Sequence, residues 1–172
     1  MASGTTVVLS GGGSIAASNG VSDNRSLDVS ETRAGTAISS LTGSGSVSLG
    51  AQTLSLSAAA GSFSGVISGS GGLTISSGSE TLTGSNTYRG QTLIDAGATL
   101  ALSGNGSVLD SAVVDEGTLD ISASKKGLAV ASLSGHGVLE LGRQSLVLGQ
   151  AASAFTGSIE GSGDLTVSSG SQ

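Results

Sequence analysis

The sequence predicts an all-β chain folded as a single-stranded parallel β-helix, a solenoid with about three short strands per coil. Three observations carry that expectation. The chain repeats itself without gaps over about half its length. Its apolar residues alternate with polar ones in runs of three to five. Its 172 residues include 30 glycines, no proline and only three aromatic side chains, Phe63, Tyr88 and Phe155. Alternation with period two marks strands buried on one face, and no run has the i, i+3, i+4, i+7 spacing of a helix.

The repeat has a length of 92 residues (133 − 41 = 92). LTGSGSVSLGAQTLSLSAAAGSFSGVISGSGGLTISSGS at 41–79 falls on LSGHGVLELGRQSLVLGQAASAFTGSIEGSGDLTVSSGS at 133–171. Between 38–80 and 130–172, 23 of 43 positions are identical. Upstream, Leu27-Asp28-Val29-Ser30 meets Leu119-Asp120-Ile121-Ser122, and Leu9-Ser10-Gly11 meets Leu102-Ser103-Gly104 at a shift of 93. One unit therefore runs from about residue 5 to 96 and a second from 97 to 172. Gln172 aligns with Glu80, so the second unit reads as cut in mid-repeat and the chain as a fragment of a longer parent. Repeats of this kind are the signature of architectures in which neighbouring units bury each other's apolar face.

The strands follow in order. VSL (47–49), TLSLS (53–57), LTI (73–75), TLAL (99–102), TLDI (118–121), VLEL (138–141), SLVL (145–148) and LTV (165–167) are each separated by Gly-, Ser- or Asn-containing turns. Their starts lie about eight residues apart, so three strands make a coil of about 23 residues and four coils fill one unit. About seven coils stacked at ~4.8 Å would give a rod on the order of 35 Å long. A narrow interior favours Leu, Ile and Val, glycine permits tight corners, and proline would remove ladder donors. An antiparallel sandwich repeated as two domains is the rival all-β arrangement.

Composition excludes several functions. Charged residues are 10% of the chain and the net charge is −6, with six Lys and Arg and no basic patch; nucleic-acid binding is not expected. No apolar run approaches the ~20 residues of a membrane helix. MASGTTVVLSGGG has neither the basic nor the long apolar region of a signal peptide, and Met1-Ala2-Ser3 reads as an expression start on an excised fragment. The chain has no cysteine, which suits both a reducing cytosol and a protein that crosses a periplasm without disulfides.

FSGVISGSGGLTISSGSETLTGSNTYRGQTLIDAGATLAL (63–102) resembles the passenger-associated repeat of bacterial autotransporters, the type V secretion proteins. Gly69, Gly71, Leu73, Thr74 and Gly78 fill the first half of that pattern. Leu82, Thr83, Gly84, Asn86, Thr87, Tyr88, Gly90, Thr92, Ile94, Gly97 and Leu100 fill the second. Ile75-Ser76 depart from it where the family often has Lys after Leu-Thr. The resemblance implies a right-handed β-helix on the surface of a Gram-negative bacterium. It also implies a parent exported through and anchored by a C-terminal outer-membrane β-barrel outside this sequence. It implies adhesion to host-cell or matrix molecules, or self-association in aggregation and biofilm growth. In other members the β-helix is a stalk or autochaperone-like segment that presents a protease or esterase head. The structural motif residues are Gly69, Gly71, Leu73, Gly84, Asn86, Thr87, Tyr88, Gly90 and Gly97. Leu82, Ile94 and Leu100 are expected as interior rungs, the three later glycines as corners, and Asn86 and Tyr88 as braces of a turn.

Nothing in the sequence assembles a catalytic group. The single histidine, His136, has Ser44 as its counterpart and reads as a solvent-facing turn residue; no G-x-S-x-G is present. Asp115 and Glu116 read as solvating a turn. Asp28 and Asp120 would stand about four coils apart, too far to share a glycosidic bond. GSGDL (161–165) has the outline of a calcium-binding repeat, but Gly72 replaces Asp164 in the other unit, so no metal is expected. GGGSIA (11–16) precedes no long helix and is not a dinucleotide loop, and no cofactor is expected. Asn24-Arg25-Ser26 and Asn105-Gly106-Ser107 spell glycosylation sequons. Arg25, Arg33, Lys125, Lys126 and Arg143 are the cations available to acidic groups on a neighbouring molecule. With so few aromatic residues, any adhesion would be weak per contact and avid in sum.

Overall fold

The computed structural model describes residues 6–171; residues 1–5, with the Met1-Ala2-Ser3 start, and Gln172 lie outside them. Among the described residues there are 21 strands and no helix, and every strand pairing is parallel. The chain is a right-handed parallel β-helix of about eight turns, so the sandwich is set aside. Parallel pairing requires each strand to return by a crossover, and the crossovers here are the other two sides of the coil.

The column has three sides. Side one holds strands Thr6–Gly11, Ser26–Thr32, Ser46–Ser48 and Val66–Ser68, and later Leu128–Val130, Leu146–Leu148 and Leu165–Val167. Side two holds six strands from Thr36–Ile38 to Ser132–Gly135. Side three holds eight, from Val21–Asp23 to Ser158–Gly161. Between Ser68 and Leu128, side one is held by isolated bridges, Ser85 with Ser107 and Gly104 with Ser124.

Inward residues stack in register. Leu27, Val47 and Ile67 align on side one. Ile38, Leu56, Ile75 and Ile94 align on side two, and Leu100, Leu119 and Leu139 on side three. All ten are fully buried. Each such side chain contributes roughly 1.5–3 kcal/mol by leaving water, and only the next coil can cover it. Two aromatic rings also fit inside, Phe63 and Tyr88. The room for Phe63 comes from Gly65, whose missing Cβ would lie 2.5 Å from the ring. Phe155 and Gly157 repeat that arrangement.

The coil length differs from expectation. Thr36 pairs with Leu54, Leu54 with Leu73 and Thr92 with Val113. The steps are 18, 19 and 21 residues, where the sequence predicted about 23. Four turns on side three run from Gly43 through Phe63, Leu82 and Leu102 to the level of Ile121. Two further sides are then needed to reach Gly135, the counterpart of Gly43. The repeat therefore spans four turns and two sides, not four turns. Leu54–Leu56 lies on side two and its counterpart Leu146–Leu148 on side one; Val66–Ser68 lies on side one and Ser158–Gly161 on side three.

Local geometry survives this change of side. Gly50 and Gly142 have φ of 57° and 60°, and a Cβ on either would meet a serine Cβ, of Ser30 or Ser122, at 2.7 Å. Gln52 Oε1 accepts from Gly35 N at 3.0 Å, and Gln144 Oε1 from Gly127 N at 3.2 Å. Gly50→Ala and Gly142→Ala are each expected to cost at least about 1–2 kcal/mol. Gly12→Ala, with open space around its Cβ position, should stay within about 0.5 kcal/mol. Urea midpoints of the three variants check both expectations.

Candidate functional site

The segment 63–102 makes two turns of the column, from Phe63 through its partner Leu82 to Leu102, with the strands Leu73–Ile75 and Thr92–Ile94 between them. Leu82, Ile94 and Leu100 point into the column and are fully buried. Gly69 and Gly97 sit at turns with φ of 128° and 80°. Gly71, Gly84 and Gly90 lie against the backbone of Gln52, Gly65 and Gly71 in the preceding coil, where a side chain would not fit. Leu73 is buried and pairs with Leu54 and Thr92. Thr87 is exposed, and its N–H donates to Ile67 O at 2.9 Å.

Asn86 braces three coils. Its Oδ1 accepts from Ile67 N at 2.9 Å in the coil before. Its Nδ2 donates to Gly84 O at 3.1 Å and to Ser107 O at 3.0 Å in the coil after. Side one has no regular strand here, so one buried amide supplies the donor and acceptor that a strand would have presented. Tyr88 fills the neighbouring corner. Its hydroxyl meets Thr92 Oγ1 at 2.7 Å, Thr92 meets Ser111 Oγ at 2.7 Å, and Ser111 donates to Gly90 O at 2.7 Å. This buried hydroxyl chain joins sides one and two, and burial pushes the phenol pKa well above its ordinary value.

Three carboxylates are fully buried, Glu80, Asp115 and Asp23, and sequence reasoning placed none of them inside. Glu80 stands in the inward row of side three between Gly61 and Leu100. A Cβ on Gly61 would lie 3.2 Å from Glu80 Oε2, so the carboxylate occupies space that this glycine leaves. Neither oxygen closes a hydrogen bond. Burial raises its pKa to about 7, and the backbone of Gly61 and Leu41 draws it back only part way. Asp115, expected in a solvated turn, is fully buried. Its Oδ1 accepts from Gly117 N at 3.0 Å, Oδ2 has no partner, and burial raises its pKa to about 6. Gly137 of the next coil lies over it, its missing Cβ 2.6 Å from Oδ1. Asp23 and Gly45 repeat this arrangement, with Asp23 Oδ1 accepting from Arg25 N at 2.9 Å.

The structure does not bring Asp28 and Asp120 together. They lie on sides one and three, and each accepts from the N–H two residues on, Ser30 at 2.9 Å and Ser122 at 2.8 Å. His136 is exposed, with Nδ1 2.8 Å from Glu116 Oε2. Arg89 is exposed and lies 3.7 Å from Asp110, whereas its neighbour Tyr88 reaches no solvent. Many serine hydroxyls are used between coils: Ser64, Ser68, Ser77 and Ser162 each donate to a carbonyl 20 or 21 residues earlier. Among the described residues no three His, Asp or Glu converge to hold a metal ion. The irregular stretch of side one carries a shallow groove of about 350 Å³ lined by Ser85, Asn105, Ser107, Ser124 and Lys126.

Asn86→Ala should cost about 2–4 kcal/mol, because it strands buried backbone groups of two neighbouring coils. Tyr88→Phe should cost about 1 kcal/mol, since Thr92 and Ser111 remain bonded to each other. Glu80 and Asp115 bind protons more tightly when folded, so their contribution is present at low pH and is lost as pH rises through about 6 and 7. The rise of the Glu80 pKa from 4.5 to about 7 corresponds to about 3 kcal/mol. Urea midpoints should therefore fall between pH 4.5 and pH 8, and Glu80→Gln should remove roughly half of that fall, with Asp115 supplying the rest; an unchanged slope would exclude Glu80 as a source. Comparison of the chain with family models, curated proteins and solved structures finds no match, so the site is described by its geometry alone.

Proposed function

We propose that this chain is a surface-exposed segment of an autotransporter passenger in a Gram-negative bacterium. It acts in adhesion or self-association and carries no catalytic group of its own. The observation that supports this reading is where its reactive side chains go. Asn86, Tyr88, Thr92, Ser111 and the corner serines bond coil to coil. Asp28 and Asp120 cap their own turns. The motif at 63–102 is the second support. The contact surface would be the polar groove on side one with Lys126, offering hydroxyl, amide and ammonium groups to host-cell or matrix molecules or to another copy. Such contacts are weak singly and gain strength from multiplicity. The partners are not nucleic acids, in keeping with the net charge of −6.

A second reading is favoured by the narrow range of coil lengths, 18 to 21 residues among the registered strands, which leaves little room for inserted loops. A uniform rod suits a stalk or autochaperone-like segment that presents an enzymatic head of the parent.

Cells displaying the parent with and without residues 6–171 discriminate the two. Adhesion or self-association predicts that deletion lowers clumping and host-cell binding severalfold at equal surface display. Unchanged clumping and binding, with loss of a head's reach or of display itself, would replace the first reading by the second.

A further inference from the structure

One corner of the coil is built twice with the same backbone. In the second unit it is formed by Gly104 and the turn from Ser124 to Gly127, in the first by Gly11 and the turn from Thr32 to Gly35. Gly104 and Gly11 have φ of 61° and 59°, and Gly127 and Gly35 of 71° and 78°. Gly104 pairs with Ser124 as Gly11 pairs with Thr32. Lys125 N donates to Gly104 O at 2.9 Å, and Arg33 N to Gly11 O at 3.0 Å. Gln144 Oε1 takes Gly127 N as Gln52 Oε1 takes Gly35 N, at 3.2 and 3.0 Å. Two exposed positions break the match. Asn105 and Lys126 stand where the first unit has Gly12 and Ala34. The corner closes equally well without them, so packing accounts for neither. Both line the groove on side one, together with Ser85, Ser107 and Ser124. Among the described residues the Asn105 amide has no hydrogen-bond partner and the Lys126 ammonium no ion pair.

We infer that this groove binds an acidic saccharide, with Lys126 pairing a sugar carboxylate and Asn105 and the serines bonding sugar hydroxyls. The inference deepens the adhesion reading and rests on it. An unpaired ammonium with no carboxylate in the groove wall selects an anionic group. Amide and hydroxyl side chains both donate and accept, as a ring with many hydroxyls requires. Every lining side chain is polar or absent, as glycine, so the groove offers nothing to a lipid chain or an apolar peptide. Its volume of about 350 Å³ suits a small ligand rather than a folded partner. The acids of this half of the rod are placed elsewhere: Asp120, Glu140 and Glu160 align in register on side three.

The test titrates the full chain, followed by amide chemical shifts, with a hyaluronan tetrasaccharide, in which glucuronate alternates with N-acetylglucosamine. A chitin tetrasaccharide, which lacks the carboxylates, and inorganic sulfate are the comparison probes. Hyaluronan should shift the amides of Gly104–Ser107 and Ser124–Gly127, at least about tenfold more tightly than chitin, and added salt should weaken it. Lys126→Ala should weaken binding about tenfold and Asn105→Gly severalfold. Each installs the residue that the first unit carries at the same corner, so the urea midpoint should not move. Lys125→Ala, next to the groove but outside its wall, should change binding less than twofold. Equal binding of hyaluronan and chitin overturns the inference, as does unchanged binding by Lys126→Ala. Sulfate that shifts the same amides as tightly as hyaluronan also overturns it, leaving a simple anion site. Failure of hyaluronan to bind, with clumping still lost on deletion of residues 6–171, removes this inference and leaves the adhesion reading standing.

Discussion

Each coil bonds its main chain to the coil before it at a spacing of about 4.8 Å, and that spacing governs the rest of the molecule. At the corners the chain turns too sharply, and too close to its neighbour, for side chains on both coils. Gly45 over Asp23 and Gly137 over Asp115 show the exchange: one coil supplies a carboxylate that caps its own turn, and the next supplies a glycine to make room. Where a coil brings a serine to the corner, its hydroxyl reaches down to a carbonyl one turn earlier. The abundance of glycine and serine follows from this geometry. An inward row, by contrast, must be filled by something the size of leucine, or by an arrangement such as Gly61 with Glu80 that uses the same volume.

The segment 83–91 lies outside the regular strands and is held by side-chain bonds as well as by main-chain bonds to the coil before. Side one loses its strands there, and Asn86 and the Tyr88–Thr92–Ser111 chain replace the ladder. Buried polar groups of this kind are costly unless fully bonded, and here Asn86 is bonded on both sides. Glu80 is the opposite case in the same coil: a buried group without partners whose cost is relieved by protonation.

The period-two alternation and the glycine turns make the solenoid legible in the amino-acid sequence, because an inward residue in a strand must be apolar whichever side it lies on. Leu82, Ile94 and Leu100 are readable as interior for that reason. Coil length is not readable in the same way. Ser85–Tyr88 and Asn105–Leu109 cross side one with no alternating pattern, so counting apolar runs misses two crossings per repeat and lengthens the coil. That miscount conceals Asp115 as well. DEG looks like a solvated turn unless Gly137 is known to lie directly above it, and that depends on a coil of about 20 residues. Glu80 is obscured in the same way, since only the true register places it over Gly61.

The two-side remainder in the 92-residue repeat has a geometric consequence. Because three such sides close a coil, the repeat acts as a screw: each unit carries its surface features a third of a turn around the axis from the unit before. In a solenoid built by continuing this repeat, three units of 92 residues would return a given patch to its starting direction after fourteen turns. Successive units would then face three directions around the axis, so no single side of such a rod would carry the whole of the repeated surface.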